Sequence, residues 1–433
     1  MKILITGGAG FVASYLIEEC LARGDEVIGT FRWQEDLSRM KDFKDKITLE
    51  EVELTDLSSV IRCINKHRPD AISHLAAQSW VPSSMNNPIY TMKNNIESTL
   101  NVLEAVRIIQ EVYLKHAYHI KNFNEDPCYN PLIHICSSSE FYGKVSKEEI
   151  PITENTKANP GNVYGVSKVA GDFLAQIYEK YYYLRILITR MFTHTGVGRT
   201  MMSAENYYAR EIALREIDGK DIIYTGDSKA MESLRTWADV RDAVKNYYTL
   251  FKNGKTGIYN VSGETTKNIN QVLSYLLEIS NIKQPINFVI DPQFVRKINV
   301  DKQIVSCEKY KSENTWSNDI SFETLMIDLL NYWRNKISLT KLGNKNPNWN
   351  NGSSFEPYSI NWTEELKQNI RHRDSYICQL CNKKGNIVHH IDYNKKNCDT
   401  NNLITLCRKC HPKTNHNRKY WLNHWRKNVR KAS

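Results

Sequence analysis

The chain has 433 residues, more than one ordinary domain needs and enough for two or three. Its formal charge of +10 is local: residues 338–433 carry 18 basic and 6 acidic side chains, whereas residues 1–337 carry 40 and 42. The near-neutral body suits a small-molecule enzyme and the +12 tail a polyanion, while the lack of an apolar run near the ~18 residues of a membrane span argues against a membrane partner.

The ten cysteines divide in the same way. Cys20, Cys63, Cys128, Cys136 and Cys307 are scattered singles, as buried thiols are. Cys378, Cys381, Cys398, Cys407 and Cys410 crowd into the tail. The opening Met1-Lys-Ile-Leu-Ile-Thr6 reads directly as a strand rather than a secretory leader, so a reducing cytoplasm is the expected compartment.

In chain order, residues 2–6 predict a strand, residues 7–13 (Gly-Gly-Ala-Gly-Phe-Val-Ala) a glycine turn, and the following residues an amphipathic helix to about Arg23. Gly7, Gly10, Phe11 and Val12 thereby become candidates for a pyrophosphate cradle at a positive helix end, with Ala13 small enough for close helix–strand packing. A second strand over 26–30 ends in Thr30-Phe-Arg32-Trp, with no acidic side chain to grip a ribose 2′-hydroxyl. Arg32 there favours a 2′-phosphate, hence NADP.

Strands over 48–53 and 71–75 follow, leading to Asp56-Leu57 and Ala76-Ala-Gln78, with helical patterns over 99–110 and 166–180 and a strand over 184–191. This alternation predicts an α/β fold, a Rossmann-type doubly wound parallel sheet. Asp56 could reach the adenine and Gln78 the nicotinamide side, though each reads equally well as a satisfied loop residue, and Leu57 and Ala76 join them as cofactor-binding candidates.

The apolar run 132–136 ends in Ser137-Ser138-Ser-Glu140, where a buried strand presents side chains to a cleft. Tyr164 and Lys168, four apart, share one helical face, so the ammonium can favour the phenolate. Tyr248 and Lys252 have the same spacing, and what singles out the first pair is Ser138 and Glu140. Beyond residue 192 the pattern loosens into a smaller substrate-side subdomain, in which Arg235 and Arg296 could pair with a diphosphate as planar forks.

Over residues 1–337 the chain resembles the extended short-chain dehydrogenase/reductases, specifically the GDP-mannose 4,6-dehydratases and the neighbouring GDP-4-keto-6-deoxymannose reductases. The resemblance is carried by Thr6-Gly-Gly-Ala-Gly-Phe11, Gly29-Thr-Phe-Arg-Trp33, His74-Leu-Ala-Ala-Gln-Ser79, Pro88-Ile-Tyr90, Ser137-Ser-Ser-Glu-Phe-Tyr-Gly143, Tyr164-Gly-Val-Ser-Lys168, His194-Thr-Gly196, Asp239-Val-Arg-Asp242 and Tyr332-Trp-Arg334. Ala13, Thr193, Val197 and Thr236 depart from the family pattern. The resemblance implies that Tyr164 takes the C4 hydroxyl proton of GDP-mannose with Lys168 beside it. It also implies that Ser138 holds the C4 oxygen, Glu140 removes the C5 proton and His194 contacts substrate. A homo-oligomer would form through this portion. A reductase, epimerase or decarboxylase of the same fold stays open, as does a degenerate body attached to a DNA-binding or mobile-element protein.

Residues 338–361 are rich in Asn, Gly, Ser and Pro and read as a linker, followed by a helix over 362–373. Cys378-x-x-Cys381 and Cys407-x-x-Cys410, with 25 residues between the pairs, fit four thiolates around one structural zinc stapling a small domain over 362–433. Val388-His-His-Ile391, Asn402-Leu-Ile-Thr-Leu-Cys407 and Cys410-His411 resemble the HNH nucleases over roughly 345–425. That resemblance implies a ββα-metal fold in which His389 and His411 bind a catalytic divalent ion such as Mg²⁺. His390 would be the general base, Asn402 would fix the loop, and DNA would be the partner. Basic residues over 413–431, interleaved with Tyr420, Trp421 and Trp425, suit a phosphate-gripping surface.

Overall fold

A computed structural model describes residues 1–120, 129–295, 302–341, 359, 361–415 and 418–428. The chain divides into two compact units, Met1–Trp333 and Arg334–Ser433. The first begins β1 (Lys2–Thr6), α1 (Phe11–Ala22), β2 (Glu26–Phe31), β3 (Thr48–Glu51), α2 (Leu57–His67), β4 (Ala71–His74), α3 (Val81–Asn86), α4 (Pro88–Ile120), β5 (Leu132–Ser138), α5 (Val163–Tyr182) and β6 (Arg185–Met191). It continues with β7 (His194–Thr195), α6 (Ala204–Asp218), β8 (Ile222–Thr225), α7 (Ser228–Met231), β9 (Leu234–Asp239), α8 (Val240–Lys252), β10 (Gly257–Val261), β11 (Thr265–Asn268) and α9 (Ile269–Glu278). The last elements are β12 (Asn287–Ile290), β13 (Lys302–Gln303), α10 (Glu308–Glu313) and α11 (Phe322–Lys341), the last of which reaches past Trp333.

Seven strands form one parallel sheet in the order β10-β6-β5-β4-β1-β2-β3. Successive side chains of a strand point to opposite faces, so Ile3 and Ile5 pack with α1 and α8 whereas Leu4 packs with α2, α4 and α5. Each fully buried Ile or Leu contributes roughly 1.5–3 kcal/mol. Burial on both faces explains why the strands read as short continuous apolar runs. The doubly wound parallel sheet expected from the sequence is therefore present.

The strand order reverses between β1 and β4, and a crevice at the carboxyl ends of strands is where such folds bind ligands. A smaller sheet, β11-β9-β13 with β7 also paired to β9, and a β12-β8 pair make up the irregular part beyond Met191. A buried fork docks the sheet to the site: Arg190 of β6 bonds both carboxylate oxygens of Asp172 on α5, at 2.9 and 3.1 Å. Its guanidinium also lies 3.6 Å from the ring centroid of Phe141, just past the end of β5.

The second unit contains α12 (Glu364–Arg373), the antiparallel hairpin β14 (Ile387–His390) and β15 (Leu403–Leu406), α13 (His411–Asn415) and α14 (Arg418–Asn428). Its apolar clusters are small, one around Cys378, Ile404, Leu406, Cys410 and Trp425 and the other around Ile370, Val388 and Leu403. Among the described residues no helix is long and apolar enough to cross a membrane.

Candidate active site and a four-thiol centre

The mouth of the large sheet is built first by glycine. Gly7 has φ +67°, and a Cβ there would sit 3.0 Å from Ala76 Cα, so strand ends β1 and β4 approach as only glycine allows. Helix α1 starts at Gly10 with no side-chain cap, leaving the N–H groups of its first turn, which contains Phe11 and Val12, for an anionic guest. This arrangement fits a dinucleotide pyrophosphate. Arg32 follows β2 and is exposed, with its guanidinium donating to Tyr90 Oη at 3.2 Å.

Asp56 caps α2 by accepting from the Ser58 N–H at 3.0 Å, and Leu57 begins that helix against the core. Gln78 is held in its own loop, donating to the Trp80 carbonyl at 3.0 Å and accepting from Thr91 Oγ1 at 3.3 Å.

The catalytic candidates converge. Ser138 ends β5, its Oγ accepts the Glu140 N–H at 3.2 Å, and its hydroxyl is near enough the Tyr164 phenol to favour the charged form. Lys168 donates to the Cys136 carbonyl at 2.7 Å, with Nζ 5.8 Å from the Tyr164 ring centroid. Burial raises the Tyr164 phenol above its ordinary value and lowers the Lys168 ammonium, with the nearby Cys136 thiol adding to the first effect. The phenolate expected from the Tyr/Lys spacing is thus opposed by desolvation in the protein alone, because the ammonium is aimed at a carbonyl.

Helix α5 reaches this segment because Gly165 has no side chain: a Cβ there would lie 2.7 Å from the Glu140 carbonyl oxygen. Asn162, Ser84 and Asn95 were not singled out from the sequence. Asn162 caps α5, Ser84 Oγ accepts the Tyr164 N–H at 3.2 Å, and Asn95 bonds both the Gln78 loop and Ser167. Asn162 had a readable signal, an N-cap residue at the start of a helical pattern. Asn95 and Ser84 had none, because buried polar side chains interrupt an apolar stripe without announcing their partners.

On the expected substrate side, His194 is partly buried, bonds the Phe192 carbonyl at 3.1 Å, and is pushed down to about 4 chiefly by desolvation. It is neutral at physiological pH. Arg235 lies on β9 and donates to the Leu234 carbonyl at 2.8 Å. Arg296 falls outside the described residues.

In the second unit the Sγ atoms of Cys378, Cys381, Cys407 and Cys410 all lie within 4.8 Å of one another, and Cys381 and Cys407 are 3.7 Å apart. Four thiolates about 2.3 Å from a tetrahedral zinc would stand roughly 3.8 Å apart, so the donor set fits that ion. Backbone N–H donation from Cys410 lowers the Cys407 thiol to about 6, and burial raises Cys410.

The paired histidines point to opposite sides of β14. The His389 ring is 5.2 Å from that of His411, while the His390 ring is 4.2 Å from Trp362. His389 Nε2 is buried with no hydrogen-bond partner among the described residues, and burial holds its imidazole down to about 3. A neutral ring with an orphaned nitrogen is what a cation requires of a ligand. Asn402 ties the intervening loop by donating to Asp392 Oδ1 at 2.8 Å and to the Asn397 carbonyl at 2.9 Å, and by accepting from the Asp392 N–H at 3.1 Å.

The first unit thus has the fold and the Ser–Tyr–Lys constellation of an extended short-chain dehydrogenase/reductase. The family model for GDP-mannose 4,6 dehydratase matches residues 4–329, and the chain belongs to this family. The dTDP-glucose 4,6-dehydratase of Haemophilus influenzae is 28% identical over 341 residues, covering 75% of this chain and 95% of the relative. The GDP-6-deoxy-D-mannose reductase of Pseudomonas aeruginosa is 26% identical over 271 residues, covering 62% and 82%. Among solved structures, the UDP-glucose 4-epimerase of Thermus thermophilus superposes with a TM-score of 0.64 at 22% identity, covering 77% of this chain and 99% of that one, which shows a shared fold.

Proposed function

We propose that residues 1–337 form an NADP-dependent sugar-nucleotide 4,6-dehydratase acting on GDP-mannose. The observation that carries this reading is the placement of a carboxylate, Glu140, beside the Ser138/Tyr164/Lys168 group, within reach of Asn162 on the same helix start. NADP, when bound, would supply the hydride acceptor at C4 and the donor at C6, and Arg32 would be the grip on its 2′-phosphate. Tyr164 takes the C4 hydroxyl proton, with Ser138 holding the oxygen on which charge develops. The resulting C4 ketone acidifies C5–H. Glu140 takes that proton, a C5–C6 double bond forms, and the C6 hydroxyl leaves as water with the proton returned from Glu140. The hydride added at C6 is matched at C5 by one proton, equal to the one Tyr164 took from the C4 hydroxyl, so that only water is lost. His194 and Arg235 line the substrate side.

The test is incubation of the full chain and of Tyr164→Phe with NADP⁺ and a panel of GDP-, dTDP- and UDP-sugars, followed by product masses. A product lighter by one water without net cofactor consumption is expected. Loss of about 10²-fold or more in Tyr164→Phe is the expected size for removing a general base. Net oxidation of NADPH would mark a reductase instead, a reading favoured by the similarity to the Pseudomonas enzyme. Dehydration of dTDP-glucose alone would move the substrate to that of the Haemophilus relative.

For the tail we propose a zinc-stapled HNH endonuclease that cuts DNA with Mg²⁺ or a similar ion. The supporting observation is the His389/His411 pair beside a loop pinned by Asn402, with His390 on the opposite face of the strand. His389 and His411 would hold the ion, and His390 would take a proton from the attacking water. Plasmid nicking by wild type, lost in His390→Ala with DNA binding retained, is the expected result. Equal nicking by both removes the assignment, and binding without nicking by either leaves a zinc-stapled DNA-binding module.

A further inference from the structure

Asn162 sits between the two halves of the proposed reaction. It is the N-cap of α5, in extended backbone, and its Oδ1 accepts the Gly165 N–H at 2.8 Å. The amide nitrogen of the same side chain donates to Glu140 Oε2 at 2.7 Å. A backbone N–H can only donate, so it must face Oδ1, and the opposite edge of the planar amide is then a donor aimed at the carboxylate. Glu140 is also anchored through its backbone, donating to Ser138 Oγ at 3.2 Å. Two residues further along, in the first turn of α5, stands Tyr164, with Ser138 among the groups near its phenol.

We propose that Asn162 is a positioning residue that aims the Glu140 carboxylate for elimination and locks its distance from Tyr164. This rests on the dehydratase reading. One carboxylate oxygen is occupied by a charge-assisted hydrogen bond, so the other is presented in a fixed direction to receive the C5 proton. Because the same amide caps α5, the elimination base and the oxidation base share one anchor. Only an amide does both. Serine caps a helix but is too short to reach Glu140, and aspartate caps but sets a second carboxylate against it.

The experiment compares wild type with Asn162→Ser and Asn162→Asp in the full chain. Three things are read: the unfolding midpoint, the reduced nicotinamide formed when the sugar nucleotide is added, and the rate of dehydrated product. Asn162→Ser should keep the cap and the midpoint, keep C4 oxidation, and slow dehydration by roughly tenfold to a hundredfold, so that reduced cofactor accumulates. Asn162→Asp should slow dehydration at least as much. Equal loss of oxidation and dehydration, or no loss of either, overturns the proposal.

A wild type that dehydrates no sugar nucleotide refutes the dehydratase reading separately. The contact itself is then read with ¹⁵N-labelled asparagine: the Asn162 side-chain amide resonance, assigned by its disappearance in Asn162→Ser, should shift in Glu140→Gln. A resonance that stays in place overturns the proposal whatever the reaction proves to be.

Discussion

The two units solve the same problem, holding polar side chains in fixed places, by different physical means. In the first, the apolar layers on both faces of a seven-stranded sheet hold strand ends so firmly that Ser138, Glu140, Tyr164 and Lys168 need no ion to organise them. In the second, a two-stranded hairpin and short helices enclose only small apolar clusters, one of which contains Cys378 and Cys410 themselves. Where burial is abundant, the core positions the site. Where it is scarce, the four clustered thiols offer a metal the place of a missing core, which is the reading proposed for the tail.

The largest expected effect tests that contrast directly. Removing one thiol by Cys381→Ser, or the ion by a strong chelator, should unfold the tail, since structural zinc commonly contributes about 10 kcal/mol or more of apparent binding free energy. The first unit should keep its unfolding transition. Metal analysis should find about one zinc per chain in wild type. A folded, zinc-free tail would break the comparison.

The next effect concerns the price of the large core. His74 and His134 are buried and His194 is half-buried, and all three are pushed down, to about 3, about 3 and about 4, mainly by desolvation. Each is held neutral by its folded surroundings, whereas in the unfolded chain it takes up a proton below about pH 6.5. Depressed folded values mean that the unfolded state binds more protons, so stability falls as pH drops from about 6.5 towards about 4, by up to roughly 1.4 kcal/mol per pH unit per histidine. Urea midpoints of the first unit, followed through amide exchange of β1, β4 and β5 corrected for intrinsic rates, should therefore fall across that window. A flat profile sinks the assignment of these rings as neutral core groups.

Much of this was legible in the sequence, for reasons that differ by region. The parallel sheet announced itself because strands buried on both faces are apolar runs, and the cysteine pairs did so because their spacing brings four thiols together, as the structure shows. Helix α4 was less legible. The sequence predicted a helix over 99–110, but the element runs from Pro88 to Ile120. Its first turns bury Thr91, Asn95 and Ser98 rather than apolar side chains, so no hydrophobic stripe marks them. The candidate residues Ser138, Glu140, Tyr164 and Lys168 were picked out through strand ends and helical spacing, and the structure brings them together. Of their partners, Asn162 left only the signal of a helix start, and Asn95 and Ser84 left none, since a hydrogen bond between residues far apart in the chain leaves no periodic trace. Tyr164 shows the converse limit: spacing indicated that Lys168 could sit beside it, but not that Lys168 would turn to the Cys136 carbonyl.

The smallest expected effect is also the finest probe of how a core positions chemistry. Gly165 follows Tyr164, and a Cβ at its position would lie 2.7 Å from the Glu140 carbonyl oxygen and 3.0 Å from Pro160 Cβ. The first neighbour is backbone and cannot swing aside, so Gly165→Ala must move α5 away from the segment after β5 or lift that segment off the helix. Overpacking of this kind costs about 1–3 kcal/mol. The Glu140 and Tyr164 groups should therefore separate, with dehydration slowed more than the modest fall in unfolding midpoint would suggest. Gly171 on the same helix provides the control, because a Cβ there would make ordinary contacts of 3.4 Å with Thr99. Gly171→Ala should leave product formation near wild type. If the two variants behave alike, the close approach at Gly165 does not set the distance between the proposed oxidation and elimination bases.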